Sequence, residues 1–180
     1  AWAYWQKQAH ELAEKHFLRA IDLSDNDPKY YNNIASLYLS MKRYDDAIKA
    51  FRKAADNLLF YRPEVAWTGI GMANYEKQDY AAAQRAYLKA LELNSRYYRA
   101  SYRLGELYYN QDRPAEALDM FTRTVELAPG YTDAYYWQGL LHMKLKDADK
   151  ARTSFREVIR LDPQSDSARL ATKYLKIIDE

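Results

Sequence analysis

An alanine–aromatic pair recurs along this chain at a nearly constant spacing. Five short segments share an alanine followed four residues later by an aromatic: AEKHFLRA from Ala13, AIKAFRKA from Ala47, AQRAYLKA from Ala83, ALDMFTRT from Ala117 and ARTSFREV from Ala151. The steps between them are 34, 36, 34 and 34 residues. A second set, YNNIASLY from Tyr31, WTGIGMAN from Trp67, SYRLGELY from Ser101 and YYWQGLLH from Tyr135, starts 16 residues ahead of each of the last four. Residues four apart share a helix face, so the alanine lets a partner helix approach while the ring fills the space beside it. Phe17, Phe51, Tyr87, Phe121 and Phe155 are therefore expected in the core, where burying such a ring is worth about 1.5–3 kcal/mol. A helix pair of this size cannot cover its own apolar face, so tandem copies must stack.

Residues and spacing together resemble the tetratricopeptide repeat, with its signature W-x2-L-G-x2-Y, then A-x3-F-x2-A and a closing proline. The small position of the first helix holds Ala35, Gly71, Gly105 and Gly139, and the closing proline survives as Pro129 and Pro163. The resemblance implies an all-α fold: a right-handed superhelix, or α-solenoid, forming one domain over 1–180. It comprises a partial repeat over 1–27, four complete helix pairs over 28–61, 62–97, 98–131 and 132–165, and a capping helix over 166–180. Asp27-Pro28 reads as an N-cap and first helical residue, and Pro63 and Pro114 also read as helix starts. In the last segment Leu170, Tyr174, Leu175 and Ile178 lie on one side and Arg169, Lys173 and Lys176 on the other, as a cap requires. The partial first repeat leaves Trp2 and Trp5 without an upstream neighbour, and the chain is expected to continue upstream in the natural protein.

Several function classes drop out. With 27 basic and 25 acidic side chains the net charge is +2, too weak a field to draw a polyanion or an anionic membrane. There is no cysteine, so disulfides and thiolate metal sites are excluded within this segment. No apolar run approaches the roughly 18 residues of a membrane span. His10 and His16 are six apart, on different helix faces, and His142 occupies an aromatic signature position. Gly69 to Gly71 follows no strand and lies in a helix signature, and Asp45 and Asp46 complement the start of a helix. The chain reads as a non-enzymatic binding protein with no cofactor and no metal.

In this repeat family the first helices line a concave surface, which implies a groove for a peptide or protein partner. Carried over by register, the binding residues are Asn32, Ser36, Thr68, Met72, Tyr75, Arg99, Tyr102, Arg103, Glu106, Tyr109, Tyr136, Leu140 and Met143. Tyrosine makes up 18 of the 180 residues, and several fall on this face, where ring area with a polar tip suits an extended or helical peptide. The alternative is that these tyrosines pack between adjacent first helices. Family members that clamp a chaperone's C-terminal carboxylate use Lys and Asn, then Asn, then Lys and Arg. Here Asn32, Ser36, Gly69, Arg99 and Arg103 stand in the matching places, and only the two arginines fit, so the chaperone clamp is absent while a carboxylate held by that pair stays open.

The step of 36 puts two extra residues into NLLFYRPEVAW, residues 57–67. The extra length falls on Leu59 to Arg62, and its apolar character is expected to pack rather than dangle. This link, the number of units and the tyrosine-rich YRASYRLGELYYNQDRPAEALDMF that follows resemble the pilotin lipoproteins of type IV pili. That resemblance implies a scaffold that binds secretin subunits, or another pilus assembly protein, and aids their outer-membrane assembly. It also implies a periplasmic location, with an N-terminal lipid anchor to the inner leaflet of the outer membrane in the full-length protein. Two alternatives stand beside it: a general adaptor, cytoplasmic or periplasmic, binding another protein's peptide, and the substrate-presenting domain of a larger enzyme. A lipidated N-terminus, a direct Met start or an attached catalytic domain would separate the three.

Overall fold

The computed structural model of the chain describes residues 1–7 and 9–179, leaving Gln8 of the partial repeat and Glu180 of the capping segment outside the described residues. Among these residues all regular structure is helical: α1 (Trp2–Gln6), α2 (His10–Leu23), α3 (Pro28–Ser40), α4 (Tyr44–Ala55), α5 (Pro63–Glu76), α6 (Tyr80–Leu93), α7 (Tyr98–Asn110), α8 (Pro114–Leu127), α9 (Thr132–Lys144), α10 (Ala148–Leu161) and α11 (Asp166–Asp179). Backbone contacts group them into two compact units, Ala1–Ser95 and Arg96–Glu180. Within each unit every helix packs on its sequence neighbours, and first helices also meet along their own row, α3 with α5 and α9 with α11. This is the arrangement of tandem helix pairs that the period predicts.

The helix starts follow the sequence signals. The Asp27 carboxylate accepts from the Lys29 N–H at 2.9 Å ahead of Pro28, and Pro63 and Pro114 each open a helix. The helix ends carry no glycine, yet the first helices of the four complete pairs, α3, α5, α7 and α9, close in the same way. Lys42, Gln78, Asp112 and Lys146 take the left-handed conformation, with φ of 60°, 62°, 56° and 62°. The next N–H then reaches back to the helix: Arg43 to the Tyr38 carbonyl at 2.9 Å, Asp79 to Asn74 at 2.9 Å, Arg113 to Tyr108 at 2.9 Å and Asp147 to His142 at 2.8 Å. These are Schellman closures. Two of the turns add an arginine over a tyrosine ring, Arg43 on Tyr38 and Arg113 on Tyr108, and the other two use the aspartate as the next N-cap, Asp79 to Ala82 and Asp147 to Lys150. The Arg43 guanidinium also grips Glu14, to which the Tyr38 hydroxyl donates, and burial together with that bond pushes the Tyr38 phenol up to about 12.

All five signature aromatics, Phe17, Phe51, Tyr87, Phe121 and Phe155, are buried. Their partners are the small positions: a Cβ on Gly71 would fall 2.3 Å from the Tyr87 ring, one on Gly105 2.9 Å from Phe121 and one on Gly139 2.5 Å from Phe155. At the front, Trp2 stacks on Trp5 at 4.8 Å and meets Phe17 edge-on at 5.9 Å, so the five-residue α1 supplies aromatic cover to the first ring.

Two expectations need correction. The long link does not pack as a whole: ahead of α5, Phe60 alone enters the apolar cluster of the first unit, at 8% exposure, while Leu58 is fully exposed and Leu59 and Tyr61 are each 83% exposed. The local reason is a turn in which the Asn57 carbonyl accepts from the Phe60 N–H at 3.0 Å and its side chain accepts from the Leu59 N–H at 2.9 Å. That turn aims Phe60 inward and leaves its neighbours facing water. In α11, Leu170 is exposed, and it is Ala168 and Ala171 that are buried on the last helix pair, with Tyr174, Leu175 and Ile178 beside them. Close approach selects alanine over leucine there, by the same steric rule as in the repeats.

Candidate functional site

The expected binding residues divide between the two units. In the first, α3 and α5 place Asn32, Ser36, Met72 and Tyr75 in half-buried positions. The Ser36 hydroxyl donates to the Asn32 carbonyl at 3.0 Å, while the Asn32 side-chain oxygen is buried without a hydrogen-bond partner among the described residues. Tyr75 lies edge-on to Tyr80 at 5.6 Å. Thr68, expected on the surface, is only 5% exposed, and its hydroxyl donates to the Glu64 carbonyl at 2.8 Å. It belongs to the wall and presents nothing to a partner.

In the second unit, α7, α9 and α11 carry a continuous run of rings. Tyr98 meets Tyr131 at 5.4 Å, Tyr131 meets Tyr102 at 4.9 Å, and the Trp137 indole N–H donates to the Tyr102 hydroxyl at 3.2 Å. Tyr109 lies 4.6 Å from Trp137, and Tyr136 lies 6.2 Å from Trp137 and 6.4 Å from Tyr174. Tyr102 is 7% exposed and also meets Phe121 at 5.6 Å, which corrects its expected place as a residue lining the groove in favour of the packing alternative. Burial pushes its phenol well above the usual tyrosine value, so the hydroxyl stays neutral and accepts from the indole. Tyr136, Leu140 and Met143 pack in part against the α10–α11 cluster, so the capping helix covers part of what they offer. Tyr109, Glu106, Arg103 and Arg99 present more polar surface. Arg103 pairs with Glu106 at 2.8 Å, and the exposed Arg99 Nε donates to the Tyr98 hydroxyl at 3.3 Å. A carboxylate arriving at the two arginines would therefore compete with Glu106 for Arg103.

Register reasoning missed Trp137 and Tyr131, which join these rings. Trp137 sits one residue past the expected Tyr136, and Tyr131 sits in the link before α9. Their only sequence signal is that a link tyrosine and a tryptophan at this place in the pair occur together here. Among the described residues no cluster of three or more His, Asp or Glu side chains could hold a metal ion, and no helix is long and apolar enough to cross a membrane.

Tandem helix pairs closed by small-on-aromatic contacts, with half-buried polar and aromatic first-helix faces, define a scaffold of the protein-binding kind. The chain belongs to the tetratricopeptide repeat family: models of the tetratricopeptide repeat match residues 68–132 and 107–166, 28–56 and 1–27. Among curated proteins it is 25% identical to anaphase-promoting complex subunit 3 of Schizosaccharomyces pombe, over 83% of this chain and 22% of that protein. The chain thus spans about a fifth of that relative's length. Among solved structures it resembles PilW, a widely conserved type IV pilus biogenesis factor, with a TM-score of 0.80 at 15% identity over 94% of this chain and 78% of that one. It also resembles PilF of Pseudomonas aeruginosa, with a TM-score of 0.79 at 17% identity over 95% and 77%. At these identities the likeness is one of fold.

Proposed function

We propose that the chain is a non-enzymatic scaffold of the pilotin type, which binds a secretin subunit and aids its outer-membrane assembly during type IV pilus biogenesis. The observation that carries this reading is the extent of the likeness to PilW and PilF, which runs through nearly every helix of this chain and not through one repeat alone. The long link adds support, since Phe60 anchors it while Leu58, Leu59 and Tyr61 are held out to solvent, as an interaction surface would require. In this reading the partner lies on the first-helix face of the second unit, over Tyr109 and Arg99. The full-length protein then sits in the periplasm, held to the outer membrane by an N-terminal lipid.

A second reading, a general adaptor in another assembly and cytoplasmic in its simplest form, is favoured by the likeness to a subunit of the anaphase-promoting complex. Affinity capture from detergent-solubilised envelopes of a piliated bacterium separates the two, with the chain and its Arg99→Glu, Tyr109→Ala variant as paired baits. Recovery of a secretin by the parent and its loss with the variant is the expected result. Reproducible capture of other proteins without a secretin would overturn the pilotin reading in favour of the adaptor.

A further inference from the structure

The first unit contains a cleft that the first-helix face does not explain. It lies between α4 and α6, over the side of α5 that carries Trp67, Ile70 and Asn74, and has a volume of ≈ 540 Å³. Spacings of three and four put these residues on one face of α5, turned away from Met72 and Tyr75. The floor is apolar: Ile70 and Ala86 are buried, and Ile48 and Trp67 are half-buried against the core. The walls are basic, with Arg52 on α4 facing Arg85 and Lys89 on α6. Lys89 is paired with Glu92 at 2.9 Å, whereas the exposed Arg52 and Arg85 make no ion pair among the described residues. The one acidic group of the lining, Asp79, is already used as the cap of α6, accepting from the Ala82 N–H at 3.0 Å.

We propose that this cleft is a second binding site, which takes an acidic peptide segment carrying an aliphatic or aromatic anchor. The anchor seats on Trp67 between Ile48 and Ile70, and flanking carboxylates reach Arg52 on one wall and Arg85 on the other. Charge complementarity selects the occupant. Two unpaired guanidiniums on opposite walls match a carboxylate on each side of a buried apolar residue, and guanidinium binds carboxylate in a bidentate fork. An indole floor adds ring area and an N–H donor to that match. A basic or neutral segment would leave both arginines uncompensated over an apolar floor. The site shares no residue with the first-helix face of the second unit.

The test is a random peptide library displayed on phage and selected against the whole chain, with Arg52→Glu, Arg85→Glu and Arg99→Glu, Tyr109→Ala variants run in parallel. All the exchanged arginines are exposed, and circular dichroism checks that the variants stay folded. Expected are enriched peptides with Asp or Glu on both sides of an apolar residue, whose affinity falls about tenfold or more on Arg52→Glu, Arg85→Glu and is unchanged on Arg99→Glu, Tyr109→Ala. Such a peptide should also shift the Trp67 indole N–H resonance, assigned through Trp67→Phe, and leave the other three indoles in place. Several results would overturn the proposal: no enrichment, enrichment without acidic residues, affinity insensitive to Arg52→Glu, Arg85→Glu, or an unmoved Trp67 resonance. A single-stranded oligonucleotide that outcompetes the peptides would overturn it too, as would sedimentation showing a dimer that Arg52→Glu, Arg85→Glu dissolves.

Discussion

Gly69 and Trp137 occupy the same place in their helix pairs, 14 residues ahead of Ala83 and Ala151, and each faces the signature ring of the preceding pair. In the first unit that ring is Phe51, and bare backbone meets it: a Cβ on Gly69 would lie 2.3 Å from the ring edge. In the second unit the ring is Phe121, and an indole stacks on it at 6.0 Å with only 7° between the planes. One repeat thus closes its core by removing a side chain and the other by adding the largest one available. The lesson is that the signature prescribes a ring and leaves open how the next helix covers it. Where a tryptophan does so, neighbouring tyrosines are drawn inward to satisfy it, and Tyr102 becomes core.

The largest loss is expected from a single methyl group at Gly69. Phe51 is 2% exposed and has nowhere to turn, so Gly69→Ala should cost about 3 kcal/mol, at the upper end for overpacking. Gly105→Ala, where the clash is milder, should cost nearer 1 kcal/mol because helix propensity returns part of the strain. Urea unfolding of the two variants checks the order, and equal losses would mean that the rings move aside freely. Next comes the indole's partner. Tyr102→Phe keeps both ring contacts but removes the acceptor of the Trp137 N–H, and should destabilise by about 1 kcal/mol in the same assay. No change would show that the tyrosine is retained for its area alone.

The turns allow a smaller and opposite test. Gln78→Gly relieves a left-handed φ of 62° at a helix end, and should stabilise by about 0.5 kcal/mol after the entropy of glycine is counted. The Schellman closures were illegible in the sequence because their usual glycine is absent from all four. The smallest effect is expected from His142, whose imidazole burial holds below its ordinary 6.5, with Asp147 opposing the shift and Lys150 adding to it. A depressed folded value means that the unfolded chain binds the proton first. The neutral imidazole's contribution is therefore complete above 6.5 and is lost as pH falls through the lowered folded value. Melting curves from pH 7 down to 5 should fall less steeply for His142→Gln than for the parent.

The period, the five core rings, the proline starts and the small positions of each pair were readable from the chain alone, because they follow from short-range geometry: residues three or four apart share a face, and proline fits only the first turn. The direction of side chains at the borders of those faces was not. Tyr102 and Thr68 lie where rotation by a fraction of a turn separates surface from wall, and the outcome depends on Trp137, Tyr131 and the packing of the next helix, which no local pattern encodes. The link shows the same division. Its excess length and apolar content are properties of the sequence, whereas the choice of Phe60 over Leu58, Leu59 and Tyr61 belongs to the turn at Asn57 and to the apolar cluster of the first unit on which that turn sets the ring.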